Sequence, residues 1–408
     1  MVDIARTSPP DAGADAARLL QRLGYAVLAI GAPCAESLSS RAIFVFFPIG
    51  VALLLVAAML DPVRGAMARI REPLSSRIAW CLLAFIVWTV LSLAWTPFPS
   101  SAVQHLGKLL GTALLAYLAV ACMREHMRAG DLYLFPTGVA VAMLALIVVA
   151  LAAHAGADPN DGRIGRAGIS LVVLMWPAMA CLAARGRNGY ARLLLIAAMA
   201  FTFAIGAVAT AAALLIGMLA LSFAISDTKR TAADLGLLAA AIIMLCPIAP
   251  AVAPALARWY YHAKLVTLSD PFPPLAAAAD ILLHDPLRLF TGHGFDAAIK
   301  GVENGLLPPH TPRVVLFELW YECGVIGAAL VAGMTWFAFR ALGAFDQRIA
   351  PYLIAALSAD LTLAFLAVDF SQMWWATMLA VSAISAAAAF HSLYRTKRPA
   401  ATLSRPTL

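Results

Sequence analysis

The chain has 408 residues, of which 62% are hydrophobic and only 12% charged, about half the charged content of an ordinary soluble domain. That balance excludes a soluble enzyme and predicts a polytopic membrane protein. The formal net charge of +7 does not point to nucleic acid in such a chain, because Lys and Arg anchoring the cytoplasmic loops account for it.

Apolar runs of about 18–22 residues recur, each long enough to cross a hydrocarbon core of roughly 30 Å as a helix. Backbone groups in lipid must be satisfied internally, so the spans are helices. The predicted fold is all-α: a polytopic membrane helical bundle of about twelve transmembrane helices with one large external loop containing short helices. The spans fall at 19–36, 42–60, 78–95, 103–122, 133–153, 168–184, 190–206, 208–226, 233–255, 315–339, 349–368 and 371–390. The organisation is therefore a tail over 1–18, nine spans over 19–255, the large loop over 256–314, three spans over 315–390 and a tail over 391–408. The stretch before the first span is long, mixed in charge and without a small-residue cleavage pattern, so that span is expected to be retained. Residues 1–17 and those after Arg395 are expected to be disordered.

The basic residues sort by loop. Arg6, Arg18, Arg22, Arg64, Arg69, Arg71, Arg77, Arg124, Arg128, Arg185, Arg187, Arg192, Lys229, Arg230, Arg340, Arg348, Arg395, Lys397, Arg398 and Arg405 fall on one side. That side is cytoplasmic by the positive-inside rule and holds both termini. The opposite face has short loops, apart from the one carrying Asp158, Asp161, Arg163 and Arg166 and the large loop. The latter runs through Arg258, Trp259, Tyr260, Tyr261 and His262 and a Pro-rich turn into 275–290, whose spacing suits an interfacial amphipathic helix. The six cysteines stand singly in apolar segments and read as small core residues.

Polar residues concentrate at 284–327, where His284, Asp285, Arg288, His293, Asp296, Lys300, Glu303, His310, Arg313, Glu318 and Glu322 crowd together between Gly and Pro. Arg163, Arg166, Arg288 and Arg313 lie on the external face against the topology bias. Guanidinium forks match phosphate oxygens, so as a group they suggest a diphosphate clamp, although any one could snorkel to headgroups or pair with an acid. His310 precedes the tenth span and could take a proton from an attacking hydroxyl, or simply be solvated. Glu318 and Glu322 share a helix face and could orient an arginine or the histidine, or form a structural salt bridge. Asp360, mid-span, could hydrogen-bond a neighbouring helix. Trp95, Trp259, Tyr260, Trp320, Tyr321, Trp374 and Trp375 suit an interfacial belt. No HExxH, DxD or clustered histidines suggest a metal, and no cofactor is indicated.

Three blocks carry a family resemblance: His284-Asp285-Pro286-Leu287 followed by Gly292-His293-Gly294-Phe295; His310 through Glu322-Cys323-Gly324-Val325-Ile326-Gly327; and residues 91–110, LSLAWTPFPSSAVQHLGKLL. With about twelve spans and a large loop before the tenth, the chain resembles the O-antigen ligase and O-antigen polymerase family of bacterial envelope glycosyltransferases. The resemblance implies an inner-membrane enzyme with its active site on the periplasmic face. It would move a glycan from an undecaprenyl-diphosphate-linked donor to a hydroxyl of lipid A-core, or, in the polymerase branch, of another lipid-linked glycan, inverting the anomeric carbon without a metal. Arg163 or Arg166 and an arginine of the large loop would hold the diphosphate, and His310 would be the base. The family's histidine stands nine residues before the ExG glutamate, where this chain has Arg313. The competing classes are a lipid or polysaccharide transporter and a non-catalytic assembly subunit.

Overall fold

The structure, a computed structural model, describes residues 12–39, 41–60, 76–123, 130–154, 162–248, 281–282, 285, 287–309 and 311–393. Among these, every regular element is helical. Eight helices are long and apolar enough to cross a membrane, and three shorter apolar ones, at 77–92, 188–204 and 350–366, pack among them. The chain is a helical membrane bundle.

It begins with α1 (Ala12–Ala26), which passes through one π-helical turn (Val27–Gly31) into α2 (Ala32–Leu38). There follow α3 (Ile43–Leu60), α4 (Arg77–Ser92) and α5 (Pro99–Cys122). A 3-10 turn (Asp131–Tyr133) leads into α6 (Leu134–His154), then α7 (Gly162–Ala184), α8 (Asn188–Ile205), α9 (Val208–Ser226) and α10 (Thr228–Leu245). The loop segment contributes α11 (Arg288–Thr291) and α12 (Ala297–Glu303). The chain then re-enters the bundle as α13 (Val315–Leu342), α14 (Ala350–Leu366) and α15 (Met373–Leu393).

Helix α7 is the hub. Its apolar window is 94% buried, against 17% for α5, because it is apolar on every face and rich in small residues that let neighbours approach. Trp176 of α7 fills the space over Gly217 of α9, where an added Cβ would stand 2.3 Å from the indole.

Several boundaries differ from the sequence expectation. Helix α1 starts at Ala12, within the stretch expected to be disordered, and its first turns carry an Asp15–Arg18 ion pair of 3.0 Å. Helix α10 starts at Thr228 and not near 233, because Asp227 caps it by accepting from the Arg230 amide at 3.1 Å and an N-cap outranks the onset of hydropathy. Four of the belt aromatics are core residues: Trp320, Tyr321, Trp374 and Trp375 are buried, and the Trp320 indole donates to the Ile243 carbonyl at 2.8 Å. Residues 1–11, 249–280 and 394–408, with His284 and His310, lie outside the described residues, as does most of the expected amphipathic helix.

The element that positions everything else is a break inside α13. Gly324 has φ +62 and ψ −164, which ends the helical hydrogen-bond ladder and frees the carbonyls just before it. All three are taken from outside. Tyr321 O accepts from the His293 amide at 2.8 Å and Glu322 O from the Gly294 amide at 3.1 Å. Cys323 O accepts from the Trp88 indole of α4 at 2.9 Å. The docking is backbone on backbone: a Cβ on Gly292 (φ +74) would lie 2.0 Å from Glu322 O, and one on Gly324 would lie 2.4 Å from Phe290 O.

Gly305 has a similar φ of +72 but open space around it, so it isolates the cost of conformation. Gly305→Ala is expected to lose about 1–2 kcal/mol of stability. Gly292→Ala and Gly324→Ala should each lose at least about 2 kcal/mol more, from the added clash. Thermal unfolding in detergent measures the difference; equal losses at all three would show that the loop is not seated on the break.

Candidate functional site

Three segments distant in sequence meet at one end of the bundle: the α4–α5 junction, the loop from Gly292 to Ala298, and the turn from Ala367 to Gln372. The start of α13 lies between them. Ser92 at the end of α4 accepts from the Phe295 amide at 3.2 Å, and the Thr96 hydroxyl donates to the Phe295 carbonyl at 2.8 Å. The Val315 amide donates to Val368 O at 2.8 Å, tying the start of α13 to the third segment.

Asp296 follows in the left-handed region, with φ +65, alone among the described non-glycine residues; its short polar side chain tolerates that conformation better than most. Its carboxylate accepts from the Ser101 hydroxyl and from His105 Nδ1 at 3.1 Å, while His105 Nε2 lies 2.8 Å from the Phe370 carbonyl. The ring therefore lies between a carboxylate and a carbonyl, both of which only accept hydrogen bonds. Burial pushes the Asp296 carboxyl up, but the bonds from His105 and Ser101 outweigh it and hold the group below the usual carboxylate range. The pair is nearly enclosed, with side chains 5% and 11% exposed. His105 thereby joins all three segments and has no nitrogen left for chemistry.

Glu318 and Glu322, one turn apart on α13, are 1% and 2% exposed. Sequence reasoning offered an arginine, the histidine or a structural salt bridge as their partner. They bind backbone instead: Glu318 Oε2 accepts from the Phe370 amide at 2.6 Å and Glu322 Oε1 from the Ala298 amide at 3.1 Å. The physical reason is position. Their helix face meets two loop segments whose amides lack helical partners, whereas Arg313 is exposed. Among the described residues, Glu318 Oε1 and Glu322 Oε2 are buried without a hydrogen-bond partner, as are the Trp95 and Trp375 indole N–H groups at the same end.

His293 is arranged oppositely to His105. Its ring stacks on Tyr321 with centroids 4.0 Å apart and planes 6° from parallel, and Nδ1 donates to the Tyr321 carbonyl at 3.1 Å. That bond fixes the tautomer, so Nε2 presents its lone pair, and it makes no hydrogen bond with any described residue. Burial lowers the imidazole below its ordinary 6.5; the Arg288 guanidinium adds to this, while the Tyr321 carbonyl and Asp285 oppose it. The result is a neutral, oriented imidazole beside a cation.

The arginines are divided. Arg288 is within electrostatic range of His293 and Tyr321. Arg166, exposed on the first turn of α7, is within range of Glu36 on α2. The Arg163 side chain and His310 lie outside the described residues. Asp360 leaves Oδ1 buried without the hydrogen bond one reading expected of it. Sequence reasoning singled out neither His105 nor Asp296 as site residues. The available signal was Ser101 and His105, four apart on one face of a largely apolar membrane helix.

Asp296→Ala or His105→Ala alone is expected to cost about 1–3 kcal/mol, because each leaves the other member of a buried hydrogen-bonded pair unsatisfied, and the double variant should cost clearly less than the two losses added. Unfolding of the three variants in detergent measures this; simple additivity would mean the two side chains do not interact. Compared with protein-family models, with curated proteins and with solved structures, the chain matches none.

Proposed function

We propose that this protein is a metal-independent, inverting glycosyltransferase that moves a glycan from undecaprenyl diphosphate to an acceptor hydroxyl, as an O-antigen ligase acting on lipid A-core. The polymerase branch of the same family, with a second lipid-linked glycan as acceptor, is the alternative. In this reading the helices make twelve crossings of a bacterial inner membrane, both termini are cytoplasmic, and the end carrying the Asp296–His105 pair faces the periplasm.

The observation that carries the proposal is His293: an imidazole with one nitrogen pinned to a backbone carbonyl, the other without a hydrogen bond among the described residues, and the Arg288 guanidinium within electrostatic range. Two further features support it. The three blocks that resemble the glycosyltransferase family pack against one another at this end. The same end also keeps buried polar atoms unpaired, at Glu318, Glu322, Trp95 and Trp375, and unspent hydrogen-bonding capacity of that kind is characteristic of binding sites.

The chemistry asked of the protein is modest. An imidazole takes the acceptor's O–H proton as the oxygen attacks the anomeric carbon on the face opposite the diphosphate. The bond to the diphosphate oxygen breaks, and the leaving group departs with the electron pair. Arginines neutralise the charge developing on it: Arg288, with Arg313 from the same segment and Arg163 or Arg166 from the start of α7. Glu318 and Glu322 support the site by fixing the loop amides. Two imidazoles can serve as base: His310 by its place ahead of α13, and His293 by its free nitrogen.

His310→Ala and His293→Ala, assayed separately for transfer from a lipid-linked donor at matched protein level, identify the base as the one whose loss lowers turnover by about 10²–10⁴; near-normal transfer by both would end the proposal. If His293 is the base, kcat/KM stays high below 6.5 and falls only as the pH drops through the lowered value. Arg288→Ala should move that fall to higher pH, because it removes a charge that opposes protonation. In cells, deletion should leave lipid A-core without polymer while long lipid-linked chains accumulate; core bearing a single repeat would indicate the polymerase. The unpaired Oδ1 of Asp360 within α14 favours the transporter reading instead, and loss of export with transfer intact in Asp360→Asn would select it.

A further inference from the structure

The end of the bundle away from the candidate site has its own chemistry. Leu132, just ahead of α6, packs with Ile349 and Leu393, which lie at the ends of α14 and α15 remote from the Ala367–Gln372 turn. Here a groove of about 540 Å³ opens sideways between α6 and α8, within the range of a single-ligand site. Its walls are apolar, with Ala140, Leu144 and Ile147 on one side, Leu193 and Ala197 on the other, and Leu182 of α7 as the floor. Leu144 and Leu193 are 63% and 61% exposed, so the groove is open to the surface that the bilayer covers. From Tyr133 to Ile147 it extends about 21 Å at 1.5 Å per residue, somewhat more than half a hydrocarbon core of roughly 30 Å.

The mouth of this groove is basic. Gly186 takes a left-handed φ of +69 and turns the chain sharply after α7, so that the Arg185 and Arg187 amides both bond the carbonyl of the floor residue Leu182, at 3.1 and 2.9 Å. The Tyr133 phenol lies within electrostatic range of both guanidinium groups. Arg185 Nε is buried and has no hydrogen-bond partner among the described residues. Asp131, two residues before Tyr133, is already bonded to Arg22 at 3.0 Å. Two guanidinium groups, a phenol and an unmet N–H donor above an apolar trough complement a phosphate that carries a long hydrocarbon chain.

We infer that the groove between α6 and α8 binds one anionic glycerophospholipid of the bilayer, its phosphate on Arg185, Arg187 and Tyr133 and an acyl chain along Leu144, Ile147 and Leu193. A basic pocket between transmembrane helices is the recognised form of such a site. The side opening lets the lipid enter without leaving its leaflet. The trough matches the depth of one acyl chain and is short for a polyprenyl tail.

The test uses the full-length protein in detergent and native mass spectrometry, with phosphatidylglycerol and phosphatidylcholine of identical acyl chains as probes. Phosphatidylglycerol should be retained at least about tenfold better, as expected for charge-assisted hydrogen bonds to a phosphate whose headgroup brings no compensating cation. Arg185→Gln with Arg187→Gln should abolish that preference, and Ala140→Trp, which fills the trough, should lower retention of both lipids while leaving the basic mouth intact. Equal retention of the two lipids by the unaltered protein would overturn the inference. So would a phosphatidylglycerol preference that survives both variants, or displacement of the bound lipid by a polyprenyl phosphate at equal concentration.

Discussion

The break in α13 at Gly324 is the constraint on which the rest of the site depends. Within a bilayer a helix can leave its ladder only where other groups take over the freed carbonyls, since an unpaired polar group there costs several kcal/mol. Here the freed carbonyls of Tyr321, Glu322 and Cys323 are met by His293, Gly294 and Trp88. The loop from Gly292 onward is therefore part of the helix bundle's hydrogen bonding and not a covering laid over it. Once that loop is seated, Phe295 reaches Ser92 and Thr96, and Asp296 reaches Ser101 and His105.

Two histidines at this end show how partners decide roles. His105 meets an acceptor at each nitrogen and becomes a pin between α5, the loop and the turn before α15. His293 meets one acceptor, stacks on Tyr321 and leaves Nε2 without a partner among the described residues. The acids divide in the same way. Asp296 faces an imidazole and a hydroxyl, while Glu318 and Glu322 hold backbone amides of the loop segments.

The two ends of the bundle differ in kind. At the end carrying the candidate site, Asp296 and His105 are buried, bonded to each other and held where the loop at 292–298 meets α13. At the other, Arg185 and Arg187 stand at the surface above an apolar trough, with Asp131 occupied by Arg22. Burial favours fixed geometry, which group transfer needs; exposure beside lipid favours exchange with mobile anionic headgroups.

The sequence by itself determined the membrane bundle, the approximate helix positions and the concentration of polar residues at 284–327, because apolar runs, caps and Gly or Pro breaks act over a few residues. It also placed Glu318 and Glu322 on one face. It left the partners open. That His105 would meet Asp296, 191 residues away, that the glutamates would take amides and not arginines, that Arg166 would stand beside Glu36, and that Trp320, Tyr321, Trp374 and Trp375 would be buried were decided only by the tertiary structure. The reason is that a side chain's type sets what it can bond, whereas the groups it meets are set by which helices cross and where a ladder breaks, and no local pattern carries that information.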